Sequence, residues 1–230
     1  MLDKQRSNKT DVMESWDHFA ARCQEFPKFG TINWIPNRED ILLNRVRTCG
    51  LISDNIKING SYLRIYDTGG TIGERKKWRY LPFQDSAAIC IFYVVALSDY
   101  DEVLFEDSSK NRLKDSLWTF EIFNNHAKEI DRPACMILLL NKVSFFKEKL
   151  CEQRIPLNFS GEFPEAPDTF DLDDGVEWVK GEFAKRSSFD AFNAYSLDVI
   201  NEEDLKLVMS NCSSELEKIF REKVNIADLI

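Results

Sequence analysis

Asp67-Thr68-Gly69-Gly70 is the tetrapeptide of this chain whose residue types can do chemistry. It lies at the end of a predicted strand. A carboxylate there can hold Mg²⁺, directly or through water. Two adjoining glycines let the backbone approach a terminal phosphate closely. Alone the pattern is weak, because a strand-ending turn calls for glycines anyway. Other polar residues are strung around it. Arg45-Val46-Arg47-Thr48-Cys49-Gly50 precedes it, and Gly73-Glu74-Arg75-Lys76-Lys77-Trp78 follows it. Asp99-Tyr100-Asp101 and Asn141-Lys142 each close an apolar run, and Ser196 is placed in a loop after Phe192. Each has a plainer reading. Arg45 is then a solvated arginine at a helix end, Thr48 caps a turn, and Asn141 satisfies loop backbone.

These residues need elements to hold them. Ile56–Ile58 and Leu63–Tyr66 read as short strands, and Asn59-Gly60 between them is a two-residue hairpin signal. Ala87–Leu97 and Ala134–Leu140 are almost wholly apolar. Short, β-branched, unalternating runs predict strands buried on both faces of a parallel sheet. Residues 109–129 set Leu113, Leu117, Phe120 and Phe123 on one helical face, and Val176, Val179 and Phe183 mark another helix. Residues 201–223 predict a long amphipathic helix with Leu205, Val208, Cys212, Leu216 and Ile219 inward. Its acidic start and basic end complement the helix dipole. Near the start, residues 11–26 read as a helix (Val12, Trp16, Phe19 and Cys23) stopped by Pro27, and Pro36–Asp40 opens another helical turn. Strands alternating with helices imply an α/β sandwich, with ligand loops at the carboxyl ends of its strands.

Composition narrows the field. A chain of 230 residues holds one sizeable core and a small appendage. A net charge of −9 argues against a nucleic-acid partner, which calls for a basic face. Six scattered cysteines without a CxxC pair read as reduced thiols used as small hydrophobes. With only two histidines, a zinc site is not expected. No apolar run reaches the roughly 18 residues of a membrane span. The polar start, Met1 to Thr10, does not read as a signal peptide, and Leu2 leaves no glycine for N-myristoylation.

The order of the polar segments resembles the α subunits of heterotrimeric G proteins. The matching runs are PNREDILLNRVRTCG, YDTGGTIGERKKWRYLPFQDSAAICIFYVVALSDYD, EDSSKNRLKDSLWTFEIFNN, ILLLNK and the tail FREKVNIADLI. The resemblance implies a Ras-like GTPase sandwich lacking its first central strand, with an N-terminal helical-domain remnant. Residues 1–35 are then the remnant of the helical insertion domain and 36–230 an incomplete Ras-like domain. It implies GTP or GDP and Mg²⁺ as cofactors. Arg45 matches the arginine that stabilises γ-phosphate charge. Thr48 and Asp67 match the metal-associated residues, and Gly70 the glycine whose amide senses the γ-phosphate. The implied nucleotide-binding set is Leu42, Leu43, Asn44, Arg45, Val46, Arg47, Thr48, Asp67, Thr68, Gly69, Gly70, Thr71, Asn141, Lys142, Val143, Ser144 and Ser196. Ser196 stands for the alanine of the TCAT loop, against the base.

Four departures weigh on the activity. No GxxxxGK[ST] phosphate loop is present in the sequence. Thr71 holds the place of the catalytic glutamine and is too short to orient water in the same way. Ser144 replaces the aspartate of NKxD, which removes a charge-assisted hydrogen-bond pair. Ala194-Tyr195-Ser196-Leu197 matches TCAT poorly. The expectation is a Gα-like subunit in G-protein-coupled receptor signalling with impaired nucleotide binding and weak or absent GTP hydrolysis. The alternatives are a nucleotide-free interaction protein and a truncated gene product. The implied partners are the βγ dimer and effectors through Thr71–Phe83 and the receptor through Lys223–Ile230. Trp78 and Leu81 are either anchors on that surface or core packing beneath it. The implied location is cytoplasmic, peripheral at the inner face of the plasma membrane.

Overall fold

The computed structural model describes residues 16–44, 46–58, 61–81, 89–127, 134–189 and 192–227. Its strands form two sheets. β1 (Leu51–Ile58) and β2 (Ser61–Thr68) pair antiparallel, with Leu51 opposite Thr68 and Ile58 opposite Ser61. That register follows from a two-residue connection, although Asn59 and Gly60 themselves lie outside the described residues. Both strands exceed their predicted lengths. The ladder runs on through Ser53, Asp54 and Asn55, which apolar patterning does not mark.

The second sheet is parallel, in the order β3 (Ile89–Ala96), β4 (Ala134–Asn141), β5 (Phe192–Leu197). Ala87 lies outside the described residues, and Leu97 opens a 3₁₀ turn instead of ending β3. β4 is central, and Cys135 through Leu140 are all buried, as the unalternating run predicts. β3 departs from that reading. Val95 is buried, but Phe92 and Val94 are 40% and 56% exposed. The cause is uneven cover. The helix α7 (Glu202–Ala227) packs Val208 and Cys212 on Ile137, Leu139 and Leu197, a layer that among the described residues includes neither Phe92 nor Val94. Cys90 sits at the margin of this layer. Contact with Cys135, together with burial, pushes its thiol up, so it stays protonated and behaves as a small apolar group.

The opposite face carries the main core. α4 (Arg112–Ala127) and α6 (Leu172–Ala184) bring Leu113, Leu117, Phe120, Val176, Val179 and Phe183 onto Val95, Met136, Leu138 and Leu140. Phe120 meets Tyr93 at 5.0 Å and Phe183 at 5.1 Å, both edge to face, an arrangement that suits the ring quadrupoles. Every inward residue predicted for these two helices faces this core. Asp171 caps α6 by accepting from the amides of Asp173 and Asp174. α7 (Glu202–Ala227) buries Val208 and Cys212, with Leu205 half-buried. Leu216 and Ile219 fall among side chains outside the described set.

Ahead of the hairpin, residues 11–15, Val12 among them, lie outside the described residues, and the predicted helix ends before residue 26. α1 (Trp16–Ala20) stops early, and a 3₁₀ turn at Cys23–Lys28 carries Pro27 inside it. No residue of that turn is buried, so nothing packs a helix there, and propensity alone does not hold one. Arg22 at the break reaches Glu25 and Asp40. α2 (Arg38–Leu43) starts as predicted, with Asn37 and Asp40 forming a capping box. Arg38 ion-pairs with Glu202, joining α2 to the first turn of α7. Two further short helices are α3 (Ile72–Arg75) and α5 (Val143–Lys147).

Candidate functional site

The loop before β1 and the loop after β2 meet. Thr48 Oγ1 donates to Asp67 Oδ2 at 3.2 Å, and the Gly69 amide donates to Gly50 O at 3.4 Å. Two oxygens from separate segments thus stand together, as a hard cation requires. They fit two positions of a Mg²⁺ shell, whose remainder is usually phosphate and water. The two glycines differ in their surroundings. A Cβ on Gly69 would lie 2.6 Å from Thr48 O and 2.7 Å from the Glu74 side chain, so that glycine serves the close approach of the two loops. Nothing stands within 4 Å of a Cβ on Gly70, and its exposed backbone is open to a ligand. Thr68 is the last residue of β2.

The remaining candidates of the first loop are looser. Leu42 and Leu43 end α2, and Asn44 caps it by donating to Asp40 O at 3.1 Å. Arg45 lies outside the described residues. Val46 is exposed. Arg47 Nη2 reaches Thr71 Oγ1 at 3.5 Å, a long contact at the surface. Thr71 itself precedes α3 with its hydroxyl making no cap.

The segment after Gly70 is fastened to the rest by side chains of the Gly73–Trp78 run, whose partners on α4 sequence reading did not name. Glu74 accepts from the Gly50 amide and from Lys77 Nζ, each at 2.6 Å. Lys77, then the Gly50 amide, hold its carboxyl below the ordinary range. Arg75 donates to Gly70 O at 2.9 Å, to Thr119 Oγ1 at 2.7 Å and, through both terminal nitrogens, to the Asp115 carboxylate. Asp115 and Thr119 are buried polar residues four apart on α4. Their i, i+4 spacing sets them on one flank of the helix, and that was the available signal. Trp78 donates to Gly69 O at 3.1 Å and meets Phe123 edge to face at 5.7 Å. It props the segment from beneath, which is the packing reading of this residue. Tyr80 and Ile72 carry the exposed apolar surface here, and Leu81 is half-buried. Pro82 and Phe83 lie outside the described residues.

A second group forms at the ends of β4 and β5. Asn141 Oδ1 accepts from the amides of Lys142 at 2.8 Å and Val199 at 3.0 Å. Lys142 takes the left-handed conformation at φ 65°, which turns the chain into α5. Ser144 gives its amide (3.0 Å) and its hydroxyl to the Asp198 carboxylate. Val143 packs against the main core. Ser196 corrects the sequence reading, because it lies within β5 opposite Leu140 instead of in a loop. The parallel ladder extends through Leu197, so the loop starts later. Asp198 was missed, though it is the first carboxylate after the strand. It puts a negative charge beside Ser144, where the NKxS run alone has none.

A family model described as "G-protein alpha subunit" matches residues 2–216. The guanine nucleotide-binding protein alpha-1 subunit of Caenorhabditis elegans is 34% identical over 72% of this chain and 44% of its own length. The alpha-3 subunit of the same organism is 29% identical over 98% of this chain and 57% of its own length. The G(o) subunit alpha of Locusta migratoria is 31% identical over 79% of this chain and 48% of its own length. The chain spans about half the length of the curated relatives it matches. With its parallel α/β layer and a family match that covers residues 2–216, this chain belongs to the G-protein alpha subunit family.

Proposed function

We propose that this chain serves as a Gα-like signalling subunit whose partner surface is held in place chiefly by its own side chains, with guanine-nucleotide binding weakened. The observation that carries this reading is Arg75. Its guanidinium ties the Gly70–Tyr80 segment to Asp115 and Thr119 of α4. Glu74 ties the same segment to Gly50. A segment positioned this way needs no phosphate to order it. Thr71 and Ser144 point in the same direction, since neither supplies the glutamine or aspartate chemistry of a working switch. The partners on this reading are a βγ dimer or effector at 71–83 and a receptor at 223–230, at the inner face of the plasma membrane.

Nucleotide-dependent switching is the second reading, and the Thr48–Asp67 pair favours it. That pair would hold Mg²⁺ against a nucleotide phosphate, Gly70 would face the phosphate, and Asn141 with Asp198 would border the base. Fluorescent GTP analogue titrated into the purified chain, with and without Mg²⁺, separates the two. No binding at millimolar nucleotide, with βγ retained on immobilised chain, supports the proposal. Micromolar, Mg²⁺-dependent binding overturns it.

A further inference from the structure

Between α4 and α6, closed at one end by the segment after the 3₁₀ turn Phe159–Gly161, lies a cavity of about 350 Å³. Its walls are aromatic. Trp118 projects from α4 and is 60% exposed, while Trp178 of α6 stands edge to face on Phe163 at 5.4 Å. Its own cations are neutralised. Lys114 pairs with Glu162 at 3.2 Å, and Arg186 pairs with Glu182 at 2.8 Å. Two further carboxylates, Glu121 and Glu165, line the opening and have no ion-pair partner among the described residues. The cavity therefore offers indole surface and uncompensated negative charge to whatever enters.

We propose that it receives an arginine side chain presented by a basic peptide segment of a protein partner. A guanidinium stacks on an indole face and forks onto carboxylates, and this cavity supplies both. Its volume is near the lower end of the roughly 300–1,000 Å³ usual for ligand pockets, which suits one side chain and its flanks. The chain's net charge of −9 draws basic partners towards it. The surface is separate from the segment assigned to partners above, so its test does not depend on that assignment.

The test is fluorescence anisotropy of a labelled Gly-Leu-Arg-Arg-Leu-Gly peptide titrated with the full chain at low salt. Matched peptides carry glutamine, lysine or trimethyllysine in place of arginine. The arginine peptide binds, and the glutamine peptide does not. Trp118→Ala weakens binding about tenfold, and Trp118→Phe keeps most of it. Glu121→Gln combined with Glu165→Gln weakens it several-fold and flattens its salt dependence. Trp118 is largely exposed, so its variants keep the fold, and a circular-dichroism melt verifies this. No binding at millimolar peptide, or equal binding by Trp118→Ala, overturns the proposal. Preference for lysine or trimethyllysine overturns the assignment to arginine.

Discussion

Arg75 spans three places at once: the Gly70 carbonyl, Thr119 and Asp115. The Asp115 side chain is only 6% exposed, so removing its partner leaves a charge stranded inside the protein. Breaking such a pair costs about 3–5 kcal/mol, and partial exposure of Arg75 puts Arg75→Ala near 3 kcal/mol. Urea unfolding of the variant checks this as a lower midpoint at unchanged slope. Glu74 makes a separate, pH-dependent contribution. Its carboxyl sits below its usual 4.5 because Lys77 and the Gly50 amide favour the charged form. A depressed carboxyl stabilises the fold above its unfolded value, and that stability is lost as pH falls through the lower folded value. Acidification from pH 7 therefore loosens the 71–80 segment only below about pH 4.5. Hydrogen exchange in that segment reads the effect, and Glu74→Gln removes its pH dependence. At this scale Thr48 and Asp67 were legible as candidates, because adjacent residues carry their pattern, and the structure brings the two together. Asp115, Thr119 and Asp198 were not. Each acts across a tertiary contact of 40 or more positions, which local spacing does not encode.

α6 holds two glycines with opposite surroundings. A Cβ on Gly175 would stand 2.7 Å from Leu150 Cδ2 and 3.1 Å from the Phe146 ring, both in the buried core. A Cβ on Gly181 meets nothing within 4 Å. Alanine favours the helix over glycine by about 0.8–1 kcal/mol, so Gly181→Ala stabilises by close to that amount. At Gly175 the same gain is outweighed by overpacking of about 1–3 kcal/mol, and Gly175→Ala is net destabilising. Thermal melts of the two variants shift in opposite directions. Helices were the most readable elements, because three- and four-residue spacing of Leu113, Leu117 and Phe120, or of Val176, Val179 and Phe183, reports a buried face directly. Element ends were less so. β5 runs through polar Ser196 because its backbone pairs with Leu140, and the 11–26 helix breaks where Arg22 turns towards Asp40.

At the scale of the whole molecule, the described residues form two sheets joined by side chains. The hairpin is linked to the parallel sheet's helices by Glu74, Arg75 and Trp78. Among the described residues β3 has a strand neighbour on one side only, and Phe92 and Val94 add exposed apolar surface beside that edge. Open edges of this kind template association. The apparent molar mass from light scattering therefore rises with protein concentration, and Val94→Lys lowers it. The sequence revealed the parallel layer through its apolar runs, but not that one strand of it would be half covered. Burial of β3 depends on what packs over it, and its own residues look like those of β4. The two sheets also differ in how far their partners lie along the chain. β1 meets β2 across two residues, whereas β3 waits for α4 before reaching β4, and β4 for α6 before reaching β5. Hairpins close in about 1–10 μs, and distant strands follow only after costly loop closure. Asp67 is thus set on its strand before the helix that anchors the neighbouring segment has found its sheet. The Arg75 clasp belongs to the final step of folding, and its removal speeds unfolding while leaving hairpin closure unchanged.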